Sequence, residues 1–223
     1  MYEKLIKRPL DLFLSFCAII VLSPVLLVLT LVGALVMKGN PFFVQKRPGK
    51  DERVFSLIKF RTMTCEKDKE GKLLPDEKRL TSYGKLLRST SLDELPELFN
   101  IFIGDMAVVG PRPQLVRDMV FMTPEQRKRH QVRPGLTGLA QINGRNAISW
   151  ENKLAFDLKY IKKITFRKDM AIIFQTVMKV LRREDISEEG METAADLGDY
   201  LLSEGRVTRE EYDALQEEAK KLL

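Results

Sequence analysis

The feature that most constrains this chain is an uncharged apolar segment close to its N-terminus. Leu12 to Met37 contains 26 residues without a Lys, Arg, Asp or Glu, which is long enough for a helix to cross a bilayer. The residues after it are Lys38, Gly39 and Asn40, and they offer no small-residue cleavage site of the kind that ends a signal peptide. We therefore expect the segment to be retained as a membrane anchor.

Ser23 and Pro24 interrupt this segment near its centre. Proline removes one helical hydrogen bond and kinks a helix, and the serine hydroxyl can satisfy a freed backbone group. Basic residues lie on both flanks, so the charge asymmetry that orients a spanning helix is missing. These features predict a re-entrant helix–break–helix that enters the membrane and returns on the same side. An ordinary kinked transmembrane helix is the alternative, because such helices tolerate proline.

Charge divides the chain into parts. Residues 1–183 carry a net charge of +15, whereas residues 184–223 carry −9. We expect a membrane hairpin over 1–37, one compact domain over 38–183, and an acidic helical tail over 184–223. The basic body suits anionic partners such as phosphorylated substrates and lipid headgroups. A soluble domain with a merely basic surface and no anionic ligand is the alternative, because it would carry the same net charge.

Local patterning predicts a mainly α domain with a small β-hairpin, an α+β class. Residues 42–45 and 54–58 flank Arg47-Pro48-Gly49-Lys50, which is typical of a hairpin with a longer loop. The other expected elements are a polar loop over 65–79, helices over 80–87, 91–102, 150–161 and 170–181, a helix starting at Thr123-Pro124, and a non-helical Gly-rich segment over 134–144.

The chemistry is expected in Ser91-Leu92-Asp93-Glu94-Leu95-Pro96. Ser91 with Glu94 matches a capping box, but Asp93 as N-cap places Pro96 where a missing N–H costs no hydrogen bond. Either register puts two carboxylates in the first turn of a helix, where the helix dipole should keep Asp93 ionised and free N–H groups can hold a phosphate. Such a carboxylate can attack phosphorus. Taken alone, the pattern is more often that of two acids that only cap a helix.

This string belongs to a set of four motifs, which are Lys59-Phe60-Arg61-Thr62-Met63, residues 87–96, residues 104–113 and residues 133–145. In this order they resemble the bacterial sugar transferases called monotopic phosphoglycosyl transferases. The resemblance runs from about residue 1 to residue 183 and includes the Ser23-Pro24 break. Within that family the chain looks closest to the small enzymes that begin bacterial N-linked glycan assembly with N,N'-diacetylbacillosamine, because of its short form and of Arg145-Asn146-Ala147-Ile148-Ser149-Trp150.

The resemblance implies an activity at the cytoplasmic face of the bacterial inner membrane, among membrane lipids. A UDP-sugar would give its phosphosugar to undecaprenyl phosphate, leaving UMP. Carried over to this chain, the family's ping-pong route has Asp93 attack the β-phosphorus to form a covalent intermediate, which the lipid phosphate then attacks. Glu94 would position Mg²⁺ or deprotonate the lipid phosphate. The expected cofactor is Mg²⁺, with Asp93 and Glu94 as its ligands.

The resemblance also implies substrate-binding residues, which are Lys59, Arg88, Arg112, Arg133, Arg145 and Asp157. Arg112 lies between two prolines and would offer phosphate a rigidly placed fork. Lys59 and Arg88 would orient the two carboxylates or neutralise phosphate. Arg133 and Arg145 bracket the Gly-rich segment, and Asp157 is expected to hold one of these two arginines. His130, the only histidine, is expected on a solvated face.

The tail lies beyond the resemblance. Helix-start patterns at Thr193 and Thr208, with Gly205 between them, predict a helical hairpin that docks, oligomerises or recruits downstream glycosyltransferases. A loosely ordered acidic extension is the alternative.

Two other functional classes remain open at this point. One is a membrane-tethered module that binds anionic lipid or nucleic acid, and the other is a scaffold without catalysis. Aromatic residues are sparse in the basic segments, so we expect no nucleic-acid partner. The intact Asp93-Glu94 pair argues against a scaffold that has lost catalysis.

Overall fold

A computed structural model describes residues 1–144, 148–182 and 196–223. The helices are α1 (Lys7–Val36), α2 (Asp76–Arg79), α3 (Ser82–Thr90), α4 (Glu97–Ile103), α5 (Val116–Met119), α6 (Pro124–Arg127), α7 (Leu139–Ile142), α8 (Trp150–Ile161), α9 (Phe166–Arg182), α10 (Leu197–Ser203) and α11 (Arg209–Lys221). The strands are β1 (Phe42–Pro48), β2 (Val54–Phe60), β3 (Ala107–Val109) and β4 (Gly135–Thr137). A π-helical turn at Tyr2–Ile6 precedes α1. The mainly helical class with a small β-hairpin is confirmed.

The hairpin of β1 and β2 is antiparallel, with Phe42 opposite Phe60 and Pro48 opposite Val54. The side chain of Asn100 covers the free edge of β2, because its Oδ1 accepts from the Ile58 N–H (3.1 Å) and its Nδ2 donates to the Ser56 carbonyl (2.8 Å). Asn100 is buried within α4. These bonds fix α4 along β2 and so bring the Lys59 motif beside the Asp93 motif.

The second sheet joins the other two motifs. β3 and β4 are parallel, with Ala107 beside Gly135 and Val109 beside Thr137. A Cβ on Gly135 would lie 2.0 Å from the backbone nitrogen of Gly110, so this close approach requires glycine. The pairing sets the Pro111-Arg112-Pro113 loop beside the start of the Gly-rich segment. That segment is not wholly non-helical as predicted, since it contains β4 and the short helix α7.

Helix α1 contacts the domain near both of its ends. Near the start, the Lys7 ammonium pairs with Asp169 (2.7 Å), and Asp11 accepts from the Val108 N–H (3.1 Å). Towards the other end, the Tyr83 hydroxyl donates to the Leu29 carbonyl (2.7 Å). Between them the buried side of α1 packs on two apolar clusters, one around Leu57, Leu98 and Ile101 and one around Phe60 and Leu87. The domain therefore follows most of the length of α1.

The predicted break at Ser23-Pro24 is not an interruption, because α1 is one helix of 30 residues with Pro24 inside it. The Ser23 hydroxyl donates to the Ile20 carbonyl (2.7 Å). That carbonyl lies four residues before Pro24 and would otherwise lack its helical donor, so the serine keeps the helix continuous. Within the described part of the chain, one helical stretch, Tyr2–Val36, is long and apolar enough to cross a bilayer. Re-entry into the membrane stays a prediction.

The other predicted helices differ from the structure in their ends. The helix over 150–161 is confirmed, and the one expected over 170–181 starts four residues earlier, at Phe166. The start at Thr123-Pro124 is confirmed by a capping box between Thr123 and Gln126, although α6 is only four residues long. The loop over 65–79 contains the short helix α2.

The described part of the tail, residues 196–223, is a helical hairpin packed on the domain. Leu197, Leu201 and Ala219 are buried in a cluster with Phe121 and Leu154. This packing confirms the predicted hairpin over these residues. Thr193, the expected start of the first tail helix, lies outside the described residues.

Candidate active site

The Asp93-Glu94 pair lies in a short turn between two helices, not in the first turn of one long helix. α3 ends at Thr90, and Ser91 adopts a left-handed conformation (φ 56°). Leu92–Glu94 then form a 3-10 turn in which no side chain caps the start. Of the helix predicted over 91–102, residues 97–102 are confirmed as part of α4, but its start was wrong, and neither Ser91 nor Asp93 caps a helix with its side chain. Pro96 does lie directly before α4, where its missing N–H costs no helical hydrogen bond.

Glu94 is fixed by two cations. Its Oε1 accepts from the Lys59 ammonium (2.8 Å) and from Nη2 of Arg112 (2.8 Å). Burial disfavours the Glu94 carboxylate, but Arg112 and Lys59 outweigh burial and hold its pKa below the ordinary value. The structure thus brings together three of the predicted site residues, which come from three of the four motifs. Glu94 stays ionised with one oxygen occupied.

Asp93 has the opposite environment. Its carboxylate accepts no hydrogen bond from any residue that the structure describes. Burial and the adjacent charge of Glu94 raise the pKa of Asp93 to about 6, against the opposing pull of Lys59 and Arg112. Asp93 is therefore mainly ionised at pH 7 and has both oxygens available. The expected ionised state does not depend on a helix N-terminus.

Glu97 is a third carboxylate of the site that the sequence analysis missed. It is 3% exposed, and its Oε1 lies 3.1 Å from the Lys59 ammonium. Burial raises the pKa of Glu97 to about 7, although Lys59 opposes the rise. Burial lowers the pKa of Lys59, but Glu94 and Glu97 outweigh it and the net direction is upward. Its place three residues after Glu94, on the same side of a helical turn, was the available signal.

Arg88 reaches the site from α3. Its Nε donates to the Thr62 hydroxyl (3.1 Å), and its charge opposes the rise in the pKa of Asp93. Within the described ranges Arg88 forms no ion pair, so it remains able to accept an anion near Asp93.

The Arg112 backbone is held from behind by a buried ion pair. The Arg112 carbonyl accepts from Nη2 of Arg129 (2.5 Å), and Arg129 also binds Asp157 through Nε (2.9 Å) and Nη2 (2.7 Å). Asp157 therefore holds Arg129, and among the described residues it does not hold Arg133, which binds the Gly104 carbonyl. Arg145, the other predicted partner of Asp157, lies outside the described residues, so that pairing stays a prediction. Asp157 does not contact Arg112 and can position it only through Arg129.

The remaining sequence-based candidates lie elsewhere. Nε of Arg133 donates to the Gly104 carbonyl (2.7 Å), at the opposite end of α4 from Glu94. Arg145 lies outside the described residues. His130 is 5% exposed, and burial followed by the neighbouring Arg129 lowers its pKa to about 4. The expectation of a solvated histidine was wrong.

The residues present fit an incoming Mg²⁺ only in part. No group of three or more His, Cys, Asp or Glu side chains that could hold a metal occurs within residues 1–144, 148–182 and 196–223. Mg²⁺, however, is commonly held by one or two carboxylates together with substrate phosphates and water. Within the described residues, both oxygens of Asp93 and Oε2 of Glu94 form no ion pair with a cation, so this pair supplies such a donor set.

Comparison with known proteins gives a consistent assignment. An uncharacterized sugar transferase of Bacillus subtilis, EpsL, is 46% identical over 195 residues, which are 85% of this chain and 94% of the relative. A UDP-glucose:undecaprenyl-phosphate glucose-1-phosphate transferase of Klebsiella pneumoniae is 40% identical over 183 residues, 78% of this chain but 39% of the relative. An undecaprenyl-phosphate galactose phosphotransferase of Salmonella typhimurium is 34% identical over 201 residues, 82% of this chain and 42% of the relative.

The resemblance inferred from the four motifs is thereby confirmed at the level of the family. The sequence profile of the bacterial sugar transferases matches residues 2–183, which include α1, both small sheets and every described residue of the site. The matched region ends before the described part of the tail. This chain belongs to the bacterial sugar transferase family.

Proposed function

We propose that this protein transfers a sugar phosphate from a UDP-sugar to undecaprenyl phosphate and releases UMP. The names of the Klebsiella and Salmonella relatives support the class of reaction, although this chain spans less than half the length of each. The observation that carries the proposal is the contrast between two adjacent carboxylates: Glu94 is fixed by Lys59 and Arg112, while Asp93 has no ion pair with any described residue.

In the first step, an Asp93 oxygen attacks the β-phosphorus of the UDP-sugar. The bond from that phosphorus to the bridging oxygen breaks, and UMP leaves with the electron pair. The product is a mixed anhydride between the Asp93 carboxyl and the sugar phosphate. In the second step, an oxygen of undecaprenyl phosphate attacks the same phosphorus and the Asp93 carboxylate is regenerated. The anhydride keeps the reactivity of the diphosphate, so the second transfer is not uphill.

The cations around the pair would stabilise the charge that moves during both steps. Arg88 and Arg112 offer guanidinium groups beside Asp93, and Lys59 holds Glu94 and Glu97 in place. Glu94 is a poor proton acceptor because its pKa is lowered, which favours a role in binding Mg²⁺ over deprotonating the lipid phosphate. When bound, Mg²⁺ would offset the negative charge of the diphosphate.

Contacts at both ends of α1 support a path that enters and leaves the membrane on one side. The helix is about 45 Å long at 1.5 Å per residue, more than the roughly 30 Å of the hydrocarbon core. A helix crossing the bilayer upright would carry one end away from the domain, yet Lys7 and Leu29 both contact it. We place the domain at the cytoplasmic face of the bacterial inner membrane.

The test is a two-stage assay with the purified full-length protein. UDP-sugars, including those of diacetylbacillosamine, GlcNAc, GalNAc, galactose and glucose, are supplied with undecaprenyl phosphate, and UMP release is measured. Exchange of labelled UMP into the UDP-sugar without lipid isolates the first step. The proposal expects exchange without lipid and dependence on Asp93. Turnover that requires both substrates together would exclude the covalent route, and absence of UMP release would favour a binding module or scaffold.

A further inference from the structure

An open apolar groove of about 350 Å³ lies between the β-hairpin and α4, lined by Asn40, Phe42, Val44, Ile58, Pro96 and Phe99. Its volume falls within the roughly 300–1,000 Å³ of small-molecule sites. Val44 is 53% exposed and Phe99 is 41% exposed, so apolar surface faces outward here. None of the residues that line the groove takes part in the two proposed chemical steps.

The groove begins close to the nucleophile. Pro96 follows Asp93 by three residues, and residues so spaced on a helical turn have Cβ atoms about 5–6 Å apart. Val44 pairs with Ile58, so the two side chains share one face of the hairpin. Lys59 is on the opposite face, where it binds Glu94. The groove and the ionic site therefore flank the same turn from two sides.

The far side of the groove is continuous with the surface of α1. Phe102 of α4 stacks on Phe16 of α1 with ring centroids 6.2 Å apart. Phe102 is one turn beyond Phe99, and both are partly exposed, so an apolar strip leads from α1 into the groove. Phe42 packs beside the cluster that contains Leu26 of α1. Partly exposed aromatic side chains thus connect the surface of α1 with the groove.

We propose that this groove holds the isoprene units nearest to the phosphate of the polyprenyl acceptor. The inference rests on the proposed function. A polyprenyl phosphate carries its phosphate directly on the end of one apolar chain, so a chain in the groove delivers that phosphate within about one helical turn of Asp93. A two-chain phospholipid would place glycerol between chain and phosphate at this point. Arg88 lies beside Asp93 to receive the anion.

Variants of the two exposed groove residues test the inference. Val44→Thr keeps the side-chain volume while adding a hydroxyl, and Phe99→Ala shortens the wall. Each is expected to raise the KM for undecaprenyl phosphate roughly tenfold, a change that exceeds any change in lipid-independent UMP exchange. The matched control is Phe174→Ala, which removes a phenyl ring that is 66% exposed on α9, outside the groove, and is expected to leave the acceptor KM unchanged.

Photocrosslinking identifies the occupant. A polyprenyl phosphate with a diazirine in its first isoprene unit is expected to label Phe42, Val44 or Phe99, with competition by undecaprenyl phosphate and none by phosphatidylglycerol. Equal competition by phosphatidylglycerol would assign the groove to bilayer lipid and overturn the inference. Active groove variants with a wild-type acceptor KM would overturn it as well, while leaving the proposed function intact. A wild-type protein without UDP-sugar turnover would instead overturn the proposed function, and the inference with it.

Discussion

At the scale of single residues, the two neighbouring carboxylates of the site differ in their hydrogen-bond and ion-pair partners. Glu94 has one oxygen between two cations, and Asp93 has no hydrogen-bond partner among the described residues. A group tied by ion pairs is well oriented but weakly nucleophilic, whereas an unpaired carboxylate is free to approach phosphorus. The two residues therefore suit different roles in spite of their similar chemistry.

Asp93→Asn is expected to reduce UMP release to background, at least a hundredfold, because an amide is a poor nucleophile toward phosphorus. The thermal midpoint should be unchanged or higher at pH 8, since Asp93 has no hydrogen bond to a described residue that could be lost and a partly buried charge is removed. The control is Glu94→Gln, expected to be slow but able to accumulate a phosphosugar on Asp93 detectable by mass spectrometry. One tenth of wild-type activity in Asp93→Asn would make covalent catalysis untenable.

The rate of the first step should follow the ionisation of Asp93. Its pKa is raised to about 6, so UMP exchange is expected to fall as the pH drops through 6 and to level off above about 7. The raised pKa of Asp93 has the opposite effect on folding stability, which it lowers as the pH rises. Asp93 binds its proton more tightly folded than unfolded, so its contribution to stability is present below about pH 4 and is lost as the pH rises through 6. An exchange rate independent of pH between 5 and 7 would contradict the assignment.

Excess EDTA is expected to stop UMP release, and added Mg²⁺ should restore it. A carboxylate and a diphosphate repel one another, and two of the three site cations, Lys59 and Arg112, already pair with Glu94 or Glu97, which leaves Arg88 as the one site cation without an ion pair to a described residue. Undiminished exchange in chelator would show that Arg88, Lys59 and Arg112 suffice.

The motifs predicted which residues lie around Asp93 and Glu94 better than they predicted which residues bind one another. Lys59, Arg88 and Arg112 do surround the pair, because motif order carries information about the fold. The pairing of Asp157 with Arg129 was not predicted, because several arginines were available and sequence spacing cannot say which one folds back onto it. Glu97 was missed because an acid in a helix usually serves as solvated surface.

At the scale of elements, boundaries were predicted where one local pattern governs them. The hairpin and α8 follow from turn residues and apolar spacing. The turn that carries Asp93 does not, because a serine at positive φ is uncommon and no glycine or asparagine marks it. After this turn, the position of α4 is fixed by tertiary contacts such as the Asn100 hydrogen bonds to β2.

The tail offers the test at this scale. Asp118 is buried and joins tail to domain, with Oδ1 accepting from the Leu197 N–H (2.9 Å) and Oδ2 from the Leu115 N–H (3.0 Å). Gly198 lies against Phe121, and a Cβ there would meet the ring at 2.6 Å. Phe121 is confined by Tyr212, whose ring centroid is 5.5 Å away. The hairpin is therefore seated closely enough that one side chain should disturb it.

Gly198→Val is expected to cost roughly 1–3 kcal/mol of unfolding free energy by overpacking. At about 2–4 °C for each kcal/mol in a chain of this size, the thermal midpoint should fall measurably. The control is Gly39→Ala, because an added Cβ there meets no atom within 4 Å. Equal midpoints for the two variants would show that α10 is not seated on Phe121.

At the scale of the whole molecule, the sequence predicted an anchor and a basic body but not how far they share one core. Apolar patterning marks α1 as membrane-seeking, whereas its buried polar contacts, such as Asp11 with the Val108 N–H, depend on distant segments. The acidic tail, set apart by its charge, likewise contributes Leu197 and Leu201 to a domain cluster. Composition shows which segments prefer water or lipid, but it does not show the contacts that α1 and the tail make with the domain.

The path of α1 through the membrane can be measured by labelling in intact cells. With Cys65 replaced by serine, a Glu3→Cys variant places a thiol on an exposed residue before α1. The thiol should be shielded from an impermeant reagent until the cells are lysed. Ser23→Ala with Pro24→Leu removes the serine bond to Ile20 and restores the backbone donor that proline lacks, which favours a straight helix. That helix should tend to cross the bilayer, pull Lys7 from Asp169 and expose the thiol. Labelling of the chain with Ser23 and Pro24 intact would instead establish a spanning helix and rule out re-entry.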